Sequence, residues 1–404
     1  MDRVPGPLSG IRVLDLTTIV AGPSATMILA GLGGDVIKIE RPGSGDDARH
    51  MAPVAEQWSA YFVAINRGKR SAAVDLGTPD GVAVVLRMAA QCDVFIENFR
   101  GGKADAMGLG DAAVRAARPD IVYASLSAFG PRGPEYAKPG YDALVQARTG
   151  IQSVTGEPGT SGARAGVSVL DMGSGIWTAL GIIAALFERQ RSGCGGRVDG
   201  SLYQTGVMWM AYHLVARQFT GRDPEPQGTR LGAFAPYGEF ATADGRLLIG
   251  VSNDRLFGRL CAAVTRPDLA CDVRFRTNLE RVHNREVLDV ELTRILATRS
   301  TSEWLELFDR VGIPSSPIQT AGQLLRDTQL AALGQMQEIA ELPGIATPVL
   351  PLEFSGMRPS AGAVPRLGEH TREVLLAFGF HEKEIDELAR RRIIECLKAP
   401  KSGN

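Results

Sequence analysis

Between residues 11 and 125 the chain alternates short apolar runs with amphipathic stretches, and this pattern narrows the available architectures more than any other feature. Ile11–Leu16, Val36–Glu40, Asp93–Glu97 and Ile121–Ser125 have the length and residue types of strands, with helical patterns at 24–32, 79–91 and 103–117 between them. Strands that are apolar on both faces and separated by helices require a parallel sheet covered on both sides, with right-handed crossovers. Sheets of that kind bind ligands beyond the carboxyl ends of their strands. Those ends are Thr17–Pro23, Asn98–Gly102 and Ser127–Gly133, all rich in Gly, Pro or small polar residues.

A strongly apolar helix is expected at 171–191, then a Gly-rich turn at Ser192–Gly196 and a second long helix at 201–219. The polar, Pro- and Gly-rich stretch 221–229 reads as a linker, which closes a large domain at 1–220. A smaller domain is expected at 230–330. It opens with a hairpin, Tyr237–Ala241 and Arg246–Val251 about the Asp244-Gly245 turn, and continues with helices at 255–264, 284–298, 302–311 and 320–332. Ile313–Pro317 reads as a loop between two of these helices. The remainder, 331–404, holds a further linker and then Pro365–Thr371 leading into two amphipathic helices.

With 44 basic and 45 acidic side chains among 404 residues, no global field draws the chain to nucleic acid or to an anionic membrane, and any anionic ligand must be held locally. Five scattered cysteines with no C-x-x-C pair argue against a disulfide framework or a zinc site and fit a reducing cytoplasm. The first residues, Met-Asp-Arg-Val-Pro-Gly, show no apolar export segment. The longest clean apolar run, Ile176–Phe187, has twelve residues. A membrane helix needs roughly 20, so the run reads as a buried core helix.

Three constellations could carry chemistry. Gly31-Leu-Gly-Gly34, with Glu40 ending the next strand, suggests a dinucleotide site, but these glycines close a helix and precede a strand, the reverse of what a phosphate-binding turn requires. They read better as a helix cap and turn. Basic residues able to meet phosphates are Arg41, Arg67, Lys69, Arg70, Arg100, Lys103 and Lys138; for each, an ordinary solvated charge stays open. Asp171 sits at the start of the most apolar helix, whose N-terminus favours an ionised carboxylate able to attack a thioester. Gly173 and Gly175 beside it would let a bulky acyl chain approach. An N-cap aspartate stays open as the alternative. The five histidines are dispersed, with no pair at metal-ligand spacing, and no metal is expected.

Taken together, Leu8-Ser-Gly-Ile-Arg-Val-Leu-Asp15, Ala21-Gly-Pro23, Gly33-Gly-Asp-Val-Ile-Lys-Ile-Glu-Arg-Pro-Gly43, Asn66-Arg-Gly-Lys-Arg-Ser71, Glu97-Asn-Phe-Arg100 and Leu367-Gly-Glu-His-Thr371 form a pattern. From about residue 8 to 380 the chain resembles the class III CoA-transferases, the family of formyl-CoA and carnitine CoA-transferases and of the α-methylacyl-CoA racemases. The resemblance implies an α/β fold: a Rossmann-like large domain with a parallel sheet built from both ends of the chain, a smaller inserted α+β domain, and an interlocked homodimer. It implies coenzyme A or acyl-CoA as a substrate, with no permanently bound cofactor. The partners it implies are an acyl-CoA donor and a small carboxylic acid acceptor, with a succinyl-CoA donor and a small dicarboxylate or hydroxyacid acceptor weighted by the family.

On the same footing Asp171 falls where the family has its catalytic aspartate, and Val20, Arg41, Asn98, Phe99 and Lys138 fall at or beside CoA-binding positions, Lys138 displaced by one residue. Arg100, Lys103 and Tyr141 complete the expected CoA site. The implied mechanism passes through an aspartyl mixed anhydride and an enzyme-CoA thioester, with oxyanions stabilised by backbone amides near Gly140 or from the inserted domain. Racemase relatives carry Gly-His-Asp where this chain reads Gly140-Tyr141-Asp142, and tyrosine is a poor base for an α-proton near neutral pH. Gly101 stands where many relatives have proline, and no glycine-rich loop is evident near Leu231–Tyr237. Two other readings remain beside the transferase: a CoA-ester racemase or epimerase, and a nucleotide-binding protein without transferase chemistry.

Overall fold

Side-chain alternation along the strands decides the layering. In the computed structural model, which describes residues 6–354, 356 and 358–397, Arg12–Asp15 (β1), Asp35–Glu40 (β2), Arg70–Val74 (β3), Val94–Glu97 (β4), Val122–Ser127 (β5), Arg197–Ser201 (β6) and Ile394–Glu395 (β7) form one sheet. Its order is β7-β3-β2-β1-β4-β5-β6, parallel throughout except for β7 at the edge. The helices that matter here are Ala21–Gly31 (α1), Pro79–Ala89 (α2), Asp111–Ala117 (α3), Asp142–Thr149 (α4), Val169–Ser192 (α5), Leu202–Trp209 (α6), Thr371–Ala377 (α7) and Glu382–Arg390 (α8). The first five residues, read above as carrying no export segment, lie outside the described residues.

Val13, Val36, Val94, Ile96, Val122 and Ala124 share a core with Leu29 of α1 and with Ala179, Ile182 and Leu186 of α5. Their strand neighbours Leu14, Ile37, Phe95 and Tyr123 point the other way, into a core with Val85 and Met88 of α2, Val374 of α7 and Ile385 of α8. Both faces of the sheet are therefore dry, and the returning C-terminal helices cover one of them. Chain order runs β1-β2-β3 to one side and then resumes at β4 on the other, so the topological switch lies between the carboxyl ends of β1 and β4.

The chain divides into two compact units, 1–151 with 165–214 and 331–404, and 152–164 with 215–330. Residues 152–164 and 215–220, assigned above to the large domain, thus fall in the second unit. That unit has its own core of Leu247, Ile249, Phe257, Leu292, Trp304 and Phe308 beneath a three-stranded antiparallel sheet. Ser315–Pro317, expected as loop, is that sheet's third strand, paired with Leu247–Ile249.

Other differences have local causes. β3 was hidden in a segment read for its positive charges, and β6 is an edge strand whose Arg197, Asp199 and Gly200 give no apolar run. The single helix expected at 103–117 is Lys103–Ala106 followed by α3, interrupted where Gly108 turns left-handed at φ 75°. The helix at 201–219 divides into α6 and Ala211–Thr220, and that at 320–332 into Ala321–Leu324 and Thr328–Ala332.

The apolar helix α5 differs most from expectation. It runs for 24 residues, long and apolar enough by length and composition to cross a membrane. It is not buried all round. Leu170, Gly173, Gly175, Ala179 and Ile182 face inward, while Ile176, Trp177, Leu180 and Phe187 are exposed. Gly173 and Gly175 serve the inward face and leave no room for an acyl chain. A Cβ on Gly173 would stand 2.8 Å from Trp209 Cζ2, and one on Gly175 would meet Ser24 Oγ and stand 3.0 Å from the Ala25 nitrogen and 3.1 Å from the Ala21 carbonyl oxygen. Because two of those neighbours are backbone, Gly175→Ala must push α1 and α5 apart. We expect a loss of about 1–3 kcal/mol, read as a lower Tm by calorimetry; an unchanged Tm would show that the two helices are not held at this spacing.

Candidate active site

Buried charge fixes the loop after β1. Asp15 accepts hydrogen bonds from Thr17 N at 2.9 Å and Thr26 Oγ1 at 2.6 Å and pairs with Lys69 Nζ at 3.3 Å. Lys38 Nζ bonds the Thr17 carbonyl at 2.6 Å and pairs with Asp46 at 2.8 Å, and Asp46 Oδ1 receives the Ile19 amide at 3.0 Å. Lys69 also donates to the Pro23 carbonyl at 3.0 Å. Burial opposes the charge on Asp15, yet Lys69, Lys38 and the two threonine hydroxyls hold its carboxyl below the usual range. Residues 17–23 are thereby tied at several points, and Ile19, a β-branched residue, is held at φ 69°.

Beside this loop, at the switch point, lies a cleft of about 890 Å³ whose walls include Thr18, Arg41, Leu76, Phe99, Lys103 and Met107. Asn98 does not line it but shapes it: Oδ1 accepts Thr18 N and Nδ2 donates to Thr18 O, both at 2.9 Å. Phe99 is set by its own amide, which donates to Glu97 Oε2 at 2.7 Å. Arg41 leans on Asp47 and on the Gly45 carbonyl at 3.3 Å.

The other expected positions are placed differently. Val20 is buried immediately before α1, off the cleft wall. Arg100 is exposed and off that wall. Lys138 pairs with Glu135 at 3.0 Å, and Tyr141, 62 % exposed, precedes α4. Three of the basic residues are unsuited to a phosphate: Lys69 is sealed in the network above, Arg67 is buried on the Ala64 carbonyl, and Arg70 is committed to Asp35 at 2.8 Å and Glu373 at 3.0 Å.

Asp171 lies at the third position of α5, after the N-cap Ser168, so it is not the N-cap aspartate left open above. Ser24 Oγ reaches its carbonyl at 3.4 Å, which joins the site to α1 and, through residues 18–24, to the cleft. Sequence reading passed over Asp142, the group that binds this helix start. Asp142 Oδ2 accepts Leu170 N at 2.7 Å and Asp171 N at 3.1 Å. The one available signal was its place in Gly140-Tyr141-Asp142, which drew attention only to the tyrosine. Among the described residues no group of three His, Cys, Asp or Glu side chains could hold a metal ion.

Burial, and then Asp142, push the Asp171 carboxyl up to about 7, outweighing the preference of a helix N-terminus for the ionised form.

The sequence pattern of CoA-transferase family III matches residues 8–371. The chain belongs to CoA-transferase family III. It is a CoA-transferase, as the resemblance implied, and the reading as a nucleotide-binding protein without transferase chemistry falls away. It is 37% identical over 399 residues to the succinyl-CoA:glutarate CoA-transferase of Mus musculus, covering 96% of this chain and 90% of that protein. It is 34% identical to the acetyl-CoA:oxalate CoA-transferase of Acetobacter aceti, covering 92% of this chain and 96% of that one. A CAIB/BAIF family protein from Brucella suis has a similar crystal structure, with a TM-score of 0.85 at 33% identity over 93% of this chain and 100% of that one.

The raised Asp171 carboxyl has a consequence for stability. An aspartate in the unfolded chain ionises near pH 4, so between about pH 4 and 7 the folded state binds more protons and loses stability as pH rises, levelling off above 7. Asp171→Asn removes that cost. Its Tm should exceed that of the parent protein at pH 8 and match it near pH 4, measured by thermal melts across that range; equal differences at both pH values would contradict the burial of this carboxyl.

Proposed function

We propose that this enzyme exchanges CoA between carboxylic acids by covalent catalysis on Asp171, with the nucleotide end of CoA held in the cleft by Arg41, Phe99 and Lys103. The observation that carries the reading is the Asp171 carboxyl itself: half-buried, without a hydrogen-bond partner among the described residues, and joined to the cleft by residues 18–24. A carboxylate that accepts no stabilising donor keeps its nucleophilicity.

In the first step an Asp171 oxygen attacks the thioester carbonyl of the donor, a C–O bond forms, the C–S bond breaks, and CoA thiolate leaves a mixed anhydride. The thiolate then attacks the Asp171 carbonyl carbon and expels the donor acid, giving an aspartyl-CoA thioester. The acceptor carboxylate repeats both steps in reverse and restores Asp171. One thioester is consumed and one is made, so the exchange needs no external energy. We favour succinyl-CoA as donor and a small dicarboxylate as acceptor, a choice supported by the activity named for the mouse relative.

Asp171→Asn should fold and lose turnover, because the amide is nearly isosteric but has no anionic oxygen to offer. With succinyl-CoA alone, the peptide containing Asp171 should gain a CoA adduct detectable by mass and removable by hydroxylamine. Near-normal transfer by the variant, with no adduct on this peptide, would sink the mechanism.

We further propose a homodimer. Ile176, Leu180 and Phe187 of α5 and Met208 and Trp209 of α6 are 43 to 63% exposed in the single chain, and apolar side chains of this size call for cover. Trp177 and Trp209 lie with their ring centres 6.3 Å apart on the same face. A second copy of the chain is the cover we assign. Sedimentation at sub-micromolar protein should find a dimer, and a stable, active monomer would refute it.

A further inference from the structure

The 24-residue helix that begins just before Asp171 has no cap of its own, since the Ser168 side chain makes no capping bond. Asp142 supplies the cap from another helix. It is 7 % exposed, and its Oδ2 takes the amides of both Leu170 and Asp171. Its Oδ1 accepts from Gln146 Nε2, one turn further along α4, and Gln146 Oε1 accepts the Ala165 amide at 2.8 Å. A backbone amide can only donate, so Ala165 fixes which way the Gln146 amide points: oxygen to Ala165, nitrogen to Asp142. Both Asp142 oxygens therefore face donors. A carboxylate satisfies that arrangement and an amide does not.

We infer that Asp142 is a positioning residue for CoA transfer: by clasping the two amides at the start of α5 it fixes where the Asp171 carboxyl stands, and Gln146 fixes Asp142 in turn. The inference rests on the reading of Asp171 as the nucleophile. Placement matters because a displaced nucleophile loses the near-attack geometry on which covalent catalysis depends. Asp142 also acts through its charge, being the ionisable group that, after burial, raises the Asp171 carboxyl. From α1 the groups against this part of α5 are Ala21, Ser24 and Ala25, and from α6 they are Thr205 and Trp209; none of these titrates near neutral pH.

Asp142→Asn separates this role from general support of the fold. Asparagine keeps one oxygen for the Leu170 and Asp171 amides but turns its NH2 toward the Gln146 nitrogen, donor against donor, and it removes the negative charge. Steady-state transfer from succinyl-CoA should show kcat reduced by about ten-fold or more with KM changed by less than about three-fold. The acid limb of kcat/KM should move to lower pH by at least about half a unit, because Asp171 ionises more easily without its charged neighbour. An acid limb that stays in place overturns the inference, whether or not kcat falls, since damage to the fold alone would not retune Asp171.

If Asp142→Asn does not fold, Gln146→Met carries the test. It keeps the charge on Asp142 and removes both the Nε2 donor to Asp142 and the oxygen that accepts the Ala165 amide, so kcat should fall by about three-fold or more with no downward shift of the limb; unchanged kcat would overturn the inference. Hydroxylamine trapping on the unmodified enzyme guards the premise. A hydroxamate at Asp171 there, formed as hydroxylamine displaces CoA, with unaltered kinetics in the variants, rejects the role of Asp142 alone, whereas no hydroxamate at Asp171 rejects the nucleophile.

Discussion

The buried pairing of Asp15 and Asp46 with Lys38 and Lys69 is the interaction on which the site depends. All four side chains are sealed from water, and between them they hold the carbonyls of Thr17 and Pro23 and the amides of Thr17 and Ile19. Buried ion pairs contribute little to net stability because desolvation offsets their attraction. Removing one partner is another matter: an uncompensated buried charge costs about 3–5 kcal/mol. The network is best understood as a device for shape. It keeps a β-branched residue in the left-handed region and gives the β1–α1 connection a single conformation, and that connection forms part of the cleft wall and leads directly into α1, whose Ser24 hydroxyl reaches the Asp171 carbonyl.

Two helices carry the consequences further. α1 begins where the tied loop ends, and its small residues let α5 approach until Gly175 lies against the α1 backbone. The position of the α5 start then follows from two contacts, α1 on one side and the Asp142 clasp on the other. One face of α5 is spent on this fit and on the sheet. The opposite face keeps large apolar side chains in the open, so one helix serves the fold, the site and the proposed subunit contact at once.

The large unit's parallel core was legible in the sequence because its strands are buried on both faces and read as unbroken apolar runs. β3 and β6 escaped because their residues are polar or small, and their place in the sheet comes from strand pairing and not from pattern. Arg41, Phe99 and Lys103 were legible as neighbours of strand ends. Their meeting around one cleft was implied by the family resemblance and not by their spacing, since it depends on the order in which the strands assemble. Asp142 was in plain view and still passed over, because the amides it binds lie 28 and 29 residues further along the chain.

The sequence by itself determined the class of fold and, through its motifs, the family, since apolar periodicity and ordered local patterns are written in neighbouring residues. Tertiary structure alone decided which charges are available to a ligand. Lys69, Arg67 and Arg70 look the same in the sequence as Arg41 and Lys103, but burial and committed partners withdraw the first three. It also decided the state of Asp171. A helix start is visible in the sequence and favours charge, whereas the burial and the second carboxylate that oppose charge come from residues brought together only by folding.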